Sequence, residues 1–134
     1  MSLPRRLSND APDDEAICGR VIGIFYRVYN LLGFGFPESV YARALELELV
    51  ACGLNVVREA RMQVTYRREV IGEFRADLLV EDCLILELKA ASHLTRGDEF
   101  QLVNHLRATG IRLGLLMLFG PRPDFRRILR PGPR

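Results

Sequence analysis

Two dense apolar segments separated by two acidic residues constrain the fold of this chain most strongly. The segments run from Phe74 to Val80 and from Cys83 to Lys89, and Glu81 and Asp82 lie between them. Short apolar runs bounded by a turn signal are typical of strands that are covered on both faces. The pattern therefore predicts a hairpin of two near-central strands.

Charged residues interrupt this hairpin at three positions. Asp77 lies in its first strand, whereas Glu87 and Lys89 lie in its second. Side chains two residues apart on a strand point to the same face, so Glu87 and Lys89 are predicted neighbours. A two-residue turn would place Asp77 opposite Leu86, and a three-residue loop would place it opposite Glu87. Either register brings two carboxylates and an ammonium group to one end of the hairpin.

These carboxylates allow two interpretations. Burying two like charges a few ångströms apart is costly unless they share a proton or a cation. A hard divalent cation would remove that cost, and Mg²⁺ favours one or two carboxylates with several waters retained. Alternatively, Asp77 and Glu87 form an ion network with Arg67, Arg75 or Lys89, as is common at exposed sheet edges. The strand pattern alone leaves both interpretations open.

The composition of the basic residues favours the interpretation of the two carboxylates as a metal site. Of the 19 lysines and arginines, only Lys89 is a lysine. A guanidinium group is a wide, planar fork that stays protonated, whereas an ammonium group is compact and has a pKa that can shift. The single lysine beside the second carboxylate therefore indicates a chemical site. The net charge of +2 permits a polyanionic partner without requiring one.

The remaining elements are predicted from hydrophobic spacing and from helix start and stop signals. The predictions are helices from about Asp13 to Leu32, from Pro37 to Gly53 and from Thr95 to Thr109, strands over 55–59 and 62–68, and a last strand over 112–119. This order of elements predicts an α/β protein with helices around a central mixed sheet.

The length of 134 residues predicts a single domain over residues 1–134, with a loose arm over 1–12 and a loose basic tail, rich in Pro and Arg, over 121–134. Neither a membrane span nor a signal peptide is apparent, so we expect a cytoplasmic protein without a membrane partner. Cys18, Cys52 and Cys83 are widely spaced among apolar residues and are predicted to be reduced core residues.

Four further polar residues have an ordinary structural explanation beside a functional one. Glu38 begins the second helix, where an acid interacts favourably with the helix dipole. Gln101 lies off the apolar arc of the third helix, which predicts a solvated side chain. His93 is predicted to lie in a loop and His105 on a helix surface.

Together, three segments resemble a known family. The stretch from Gly33 to Tyr41 matches the pattern that names the GxxExxY proteins, and Arg75 to Val80 and Glu87 to Lys89 resemble the same family. That family belongs to the PD-(D/E)XK nuclease superfamily. The resemblance extends from about residue 13 to 119. It implies a restriction-endonuclease-like fold with an αβββαβ core, a mixed central sheet flanked by helices and an extra N-terminal helix.

The resemblance also implies a metal site. Asp77 and Glu87 would bind Mg²⁺, with Mn²⁺ as a possible substitute, and the backbone carbonyl of Leu88 would join them. Glu38 would be a further ligand or would hold a water molecule.

The remaining implications concern the reaction. Lys89 would orient the attacking water or help to deprotonate it, and Gln101 matches a glutamine that often follows in related nucleases. The expected activity is hydrolysis of phosphodiester bonds in nucleic acid, in DNA rather than RNA, by a protein that is a possible homodimer. The second hypothesis is a non-catalytic module that keeps the nuclease fold and binds nucleic acid or another partner.

Overall fold

The computed structural model describes residues 13–132 of the chain. The elements follow the order α1 (Asp14–Leu32), α2 (Glu38–Ala51), β1 (Val56–Tyr66), β2 (Glu69–Val80), β3 (Leu84–Lys89), α3 (Arg96–Thr109), β4 (Leu113–Phe119) and β5 (Pro123–Leu129). The prediction of a loose arm over residues 1–12 lies outside the described residues. None of the helices within residues 13–132 is both long enough and apolar enough to cross a membrane.

The five strands form one mixed sheet in chain order. The β1–β2, β2–β3 and β4–β5 pairs are antiparallel, whereas β3 and β4 are parallel and are connected through α3. The elements from α2 to β4 form the predicted αβββαβ core, and α1 is the extra N-terminal helix. The predicted fold class is therefore confirmed, with β5 as an additional strand.

Local side-chain and glycine signals begin and end the helices. The Asp13 carboxylate caps α1 by accepting a hydrogen bond from the backbone N–H of Ala16. Thr95 and Asp98 form a reciprocal capping box at the start of α3. Gly110 ends α3 with φ of 76°, a left-handed conformation that favours glycine.

Helices cover both faces of the central strands. Leu84, Leu86 and Leu88 of β3 pack in the core with α1 and α2. Ile85 faces the other side and packs with Leu102 of α3. Every residue of β4 is buried. A polar side chain on β3 that faces α3 therefore lies in a largely apolar layer.

Three predictions about the strands and cysteines differ from the structure. β1 is one strand rather than two, because β2 pairs with it along nearly its whole length. The loose tail predicted from Pro121 instead contains β5, which pairs with β4; Pro123 is tolerated because it is the first residue of its strand. Cys18 is a buried free thiol as predicted, but Cys52 is exposed because it lies at the C-cap of α2, where the chain leaves the helix.

We predict that Gly120→Ala destabilises the protein. A Cβ atom at residue 120 would lie 2.3 Å from the backbone carbonyl oxygen of Ala91, which cannot rotate away. The expected loss is about 1–3 kcal/mol of unfolding free energy in urea titrations. Gly19→Ala is the control, because its Cβ meets nothing within 4 Å and an alanine should stabilise α1 by about 0.5–1 kcal/mol. Equal stability of the Gly120→Ala variant and the wild type would contradict the packing described here.

Candidate active site at the end of strand β3

Strand β2 leaves β3 before β3 ends. The β2–β3 pairing ends at Leu78 and Leu86, whereas the β3–β4 pairing continues to Lys89. This register corresponds to the three-residue loop, one of the two alternatives, and it places Asp77 level with Glu87 just beyond the last pair. The last residues of β3 therefore have a free edge on the β2 side.

Two carboxylates occupy that edge. Asp77 Oδ2 accepts a hydrogen bond from the backbone N–H of Leu88 at 2.7 Å. Glu38 Oε2, at the start of α2, accepts one from the backbone N–H of Ala90 at 3.0 Å. Amides two residues apart on a strand point to the same edge. The two carboxylates therefore replace the missing strand partner on either side of Lys89.

Asp77 lies where the alternation of β2 side chains between the two faces of the sheet is interrupted. Ala76 packs in the cluster with α3, but Leu78 packs in the cluster with α1 and α2, although residues two apart on a regular strand share a face. Opposite this break, Glu59 of β1 has a φ of 53°. This irregularity coincides with the end of the β2–β3 pairing and leaves the Asp77 carboxylate against the edge of β3.

Glu87 is held on the other side by His105. The Glu87 residue is only 7% exposed, and its Oε2 lies 3.2 Å from Nδ1 of His105. An ionised carboxylate can only accept, so Nδ1 is the donor. The His105 ring stacks on Phe74 at 3.7 Å between centroids. The prediction of a surface His105 is wrong, and its spacing of three residues from buried Leu102 is the signal that could have revealed it.

Lys89 is also held by α3. Its Nζ lies 3.6 Å from Oδ1 of Asp98, and its side chain is 28% exposed. Asp98 uses its other oxygen to cap α3 through the Thr95 N–H. Arg75, one of the arginines considered for an ion network with the carboxylates, pairs instead with Glu59. The site carboxylates therefore rely on amides, a histidine and the nearby ammonium rather than on arginine.

The electrostatics of Asp77 follow from this geometry. Burial raises the pKa of Asp77 to about 6, and the hydrogen bond from Leu88 opposes that shift. The negative charges of Glu87 and Glu38 raise the pKa further, whereas the Lys89 charge lowers it. Asp77 therefore interacts with all three charged groups, but burial is the main cause of its raised pKa.

The donor set fits a hard divalent cation in its chemistry. The three carboxylates Asp77, Glu87 and Glu38 supply oxygen atoms, and each uses only one oxygen in the hydrogen bonds above. However, within residues 13–132 no group of three acidic, histidine or cysteine side chains stands in an arrangement that could hold a metal. The residues described therefore do not form a closed protein cage, and the chemistry of the donor set corresponds to a cation held by one or two carboxylates with water, as Mg²⁺ commonly is.

The Gly-x-x-Glu-x-x-Tyr segment connects α1 to this site. Gly35 has a φ of 112°, which favours glycine, and three residues later Glu38 contacts Ala90. The Tyr41 hydroxyl donates to the Gly33 carbonyl at 2.6 Å and accepts from the Phe36 N–H at 3.2 Å. Tyr41 therefore closes the loop that positions Glu38.

The other predicted residues are less closely engaged. Gln101 lies on α3 between Asp98 and His105 at helical spacing, but its side chain is exposed. The Leu88 side chain is buried in the core, and its N–H binds Asp77, so its proposed carbonyl ligand remains a prediction. His93 is an exposed loop residue, as expected, beside the Ser92 hydroxyl.

The fold and the cluster of carboxylates define a restriction-endonuclease-like α/β protein. The fold is similar to the crystal structure of SSO0001, with a TM-score of 0.53 and 19% sequence identity, covering 90% of this chain and 54% of that chain. This chain therefore spans about half the length of SSO0001. No curated protein matches its sequence significantly. A family model for the PD-(D/E)XK nuclease superfamily matches residues 15–128, and the chain belongs to this superfamily.

We predict that Asp77→Asn stabilises the metal-free protein in a pH-dependent way. The pKa of Asp77 is raised to about 6 in the fold, so the folded state keeps a proton that the unfolded state releases. Wild-type stability from this group therefore falls as pH rises from about 4 through 6. Asparagine stays neutral and can still accept from Leu88. The stability advantage of Asp77→Asn should grow over this interval in urea titrations with EDTA, and a constant difference would contradict the assignment.

Proposed function

We propose that this chain is a metal-dependent nuclease of the GxxExxY type that hydrolyses phosphodiester bonds in DNA rather than RNA. The observation that carries the proposal is the placement of Asp77 and Glu38 on the amides of Leu88 and Ala90, on either side of Lys89. Membership of the nuclease superfamily supports the reaction class. The positive φ of Gly35 and the contacts of Glu38 and Tyr41 support the subtype, because each residue of the pattern has a part in shaping the loop.

The proposed cofactor is Mg²⁺, with Mn²⁺ as a substitute. Asp77 and Glu87 would hold it, joined by the carbonyl of Leu88, and Glu38 would be a further ligand or would hold a water molecule. When bound, a divalent cation lowers the pKa of a coordinated water and neutralises charge on the phosphate. The carboxylates of Glu87 and Glu38, whose negative charges raise the pKa of Asp77, favour such a cation.

The residues of the chain have separate proposed roles. Lys89 holds the attacking water in line with the phosphate and stabilises the charge that develops there, since its compact ammonium group can donate in several directions. Asp98 keeps that ammonium group near the site. His105 fixes the buried carboxylate of Glu87, and the exposed Gln101 on the same helix face contacts the substrate or its water shell.

A homodimer is part of the proposal. Small nucleases of this fold often form dimers, and the loop before α2 exposes Phe34 and Phe36 while α2 exposes Leu47. Such exposed apolar side chains are suited to a protein interface. Sedimentation of the full chain tests this assignment.

A second candidate function is a non-catalytic module that binds nucleic acid or another partner. The observation that favours it is that Glu87 and Lys89 already have partners within the fold, His105 and Asp98. A site that has lost its catalytic activity would not need these side chains to be available for a metal ion or a substrate. Cleavage and metal binding separate the two functions.

We predict that cleavage of double-stranded DNA requires Mg²⁺ or Mn²⁺ and falls by about 10²-fold or more in Asp77→Asn and Lys89→Ala. Lys89→Arg should also lose activity, because the wider guanidinium group does not replace a compact ammonium group. Asp82→Asn, in the exposed turn after β2, is the matched control and should cleave normally. Single-stranded DNA and RNA substrates measure the preference. Full activity in both Asp77→Asn and Lys89→Ala would reject the proposed roles.

We also predict that calorimetric titration of the full chain detects Mn²⁺ binding that Glu87→Gln abolishes. The amide keeps the shape of the side chain but removes the charge that a hard cation requires. Glu73→Gln on the exposed part of β2 is the control and should bind Mn²⁺ as the wild type does. A wild-type protein that binds nucleic acid but no metal would favour the non-catalytic module.

A further inference from the structure

The β1–β2 hairpin extends well beyond the rest of the sheet. β2 pairs with β3 only over residues 78–80, but it pairs with β1 as far as Glu69 and Tyr66. The outer part, residues 60–76, is therefore a two-stranded ribbon. Near its base, Met62 packs with the α3 cluster, whereas all residues from 65 to 73 are exposed. Residues 65–73 at its outer end belong to neither core cluster.

The turn at the tip of this ribbon has an unusual sequence. Arg67 and Arg68 connect the two strands, with φ of 52° and 68°. A two-residue turn with both residues in the left-handed region favours Asn-Gly, because a Cβ atom is disfavoured there. The Arg67 guanidinium lies 6.0 Å from the Tyr66 ring centre. This contact could explain an arginine at position 67, but it does not explain the second arginine at position 68. Folding alone therefore does not account for two arginines at the tip.

A second pair of arginines lies nearer the base of the ribbon. Arg61 and Arg75 are direct cross-strand partners, and both are exposed. Like charges directly opposite each other destabilise a sheet. Glu59 contacts Arg75 at 3.3 Å, but Arg61 has no acidic partner within residues 13–132. The acidic residues Glu69 and Glu73 lie between the two arginine pairs, so positive charge is concentrated at the base and at the tip.

We propose that this ribbon is an arm that binds duplex DNA, with Arg67 and Arg68 on the phosphates beside the major groove and Arg61 and Arg75 on the phosphates along the base of the ribbon. The proposal rests on the proposed function, since it takes the nuclease's substrate to be DNA. Phosphates satisfy the two arginine pairs that the fold leaves in disfavoured positions. Arginine is well suited to this contact, because its fork matches the geometry of a phosphate.

The dimensions of the ribbon favour duplex DNA over RNA. The major groove of B-form DNA admits a two-stranded ribbon, whereas that of A-form RNA is too narrow. Arg68 lies nine residues from Asp77 along the chain. An extended strand of that length spans about 30 Å, close to the roughly 34 Å of one turn of duplex DNA. A ribbon that runs along the duplex axis would therefore place its tip about one turn from a phosphate at Asp77.

The test separates charge from turn stability. The variant Arg67→Asn/Arg68→Gly removes both charges and supplies the favoured turn, whereas Arg67→Lys/Arg68→Lys keeps the charges. Binding of the full chain to a fluorescein-labelled duplex of about 20 base pairs is measured by anisotropy in EDTA, over about 50–200 mM NaCl. Arg27→Gln, a substitution of an exposed arginine on α1, is the matched control.

The expected result is opposite changes in stability and binding. Arg67→Asn/Arg68→Gly should unfold at higher urea concentration, yet bind DNA about tenfold or more weakly, with a salt slope smaller by about 1.8. The lysine variant and Arg27→Gln should keep most of the wild-type slope. A stabilised Arg67→Asn/Arg68→Gly variant that binds DNA with wild-type affinity and slope would overturn the proposal. So would tighter wild-type binding to single-stranded DNA or duplex RNA of the same length, or no binding to duplex DNA.

Failure of the arm proposal and failure of the proposed nuclease function give different experimental results. If Asp77→Asn abolishes cleavage but the tip variants bind normally, only the arm is rejected. If the wild type never cleaves but its DNA binding depends on Arg67 and Arg68, the nuclease is rejected and the arm remains.

Discussion

The hydrogen bond from the Leu88 amide to Asp77 is the interaction on which the candidate site depends. It lies where β2 leaves β3, so it satisfies a backbone donor that would otherwise lose its strand partner. The same bond offsets part of the cost of burying the carboxylate, although burial still raises the pKa of Asp77 to about 6. This one hydrogen bond therefore satisfies the Leu88 amide at the sheet edge and stabilises the Asp77 carboxylate near Glu87 and Glu38.

Much of the fold could be predicted because its signals are local. Alternation on β3 places Glu87 and Lys89 on one face, and the acidic turn places Asp77 on the neighbouring strand. The spacing leaves the length of the hairpin loop open, and the structure has the three-residue form. The helix caps at Asp13 and Thr95 are equally local signals. The roles of the site residues are a different matter, and they stay predictions that depend on chemistry.

The features that sequence reasoning missed depend on distant partners. His105 has the spacing of a buried residue, but its burial depends on Phe74 and Glu87, which lie on two separate strands. The Pro- and Arg-rich composition of β5 concealed its pairing with β4. Glu38 could be recognised as a helix-starting acid, yet its bond to Ala90 joins groups 52 residues apart. Single-sequence patterns carry no information about such long-range contacts.

Asp98 couples two properties that are usually independent. One of its oxygens caps the first turn of α3, and the other faces the ammonium group of the chain's single lysine. Fraying of the first turn of α3 would therefore release the tether on that amine as well. Conversely, if the Lys89 ammonium group moved toward a bound anion, Asp98 would lose its ion pair, and the first turn of α3 would lose one charge interaction. The order of the first turn of α3 and the position of the Lys89 side chain therefore both depend on the Asp98 carboxylate.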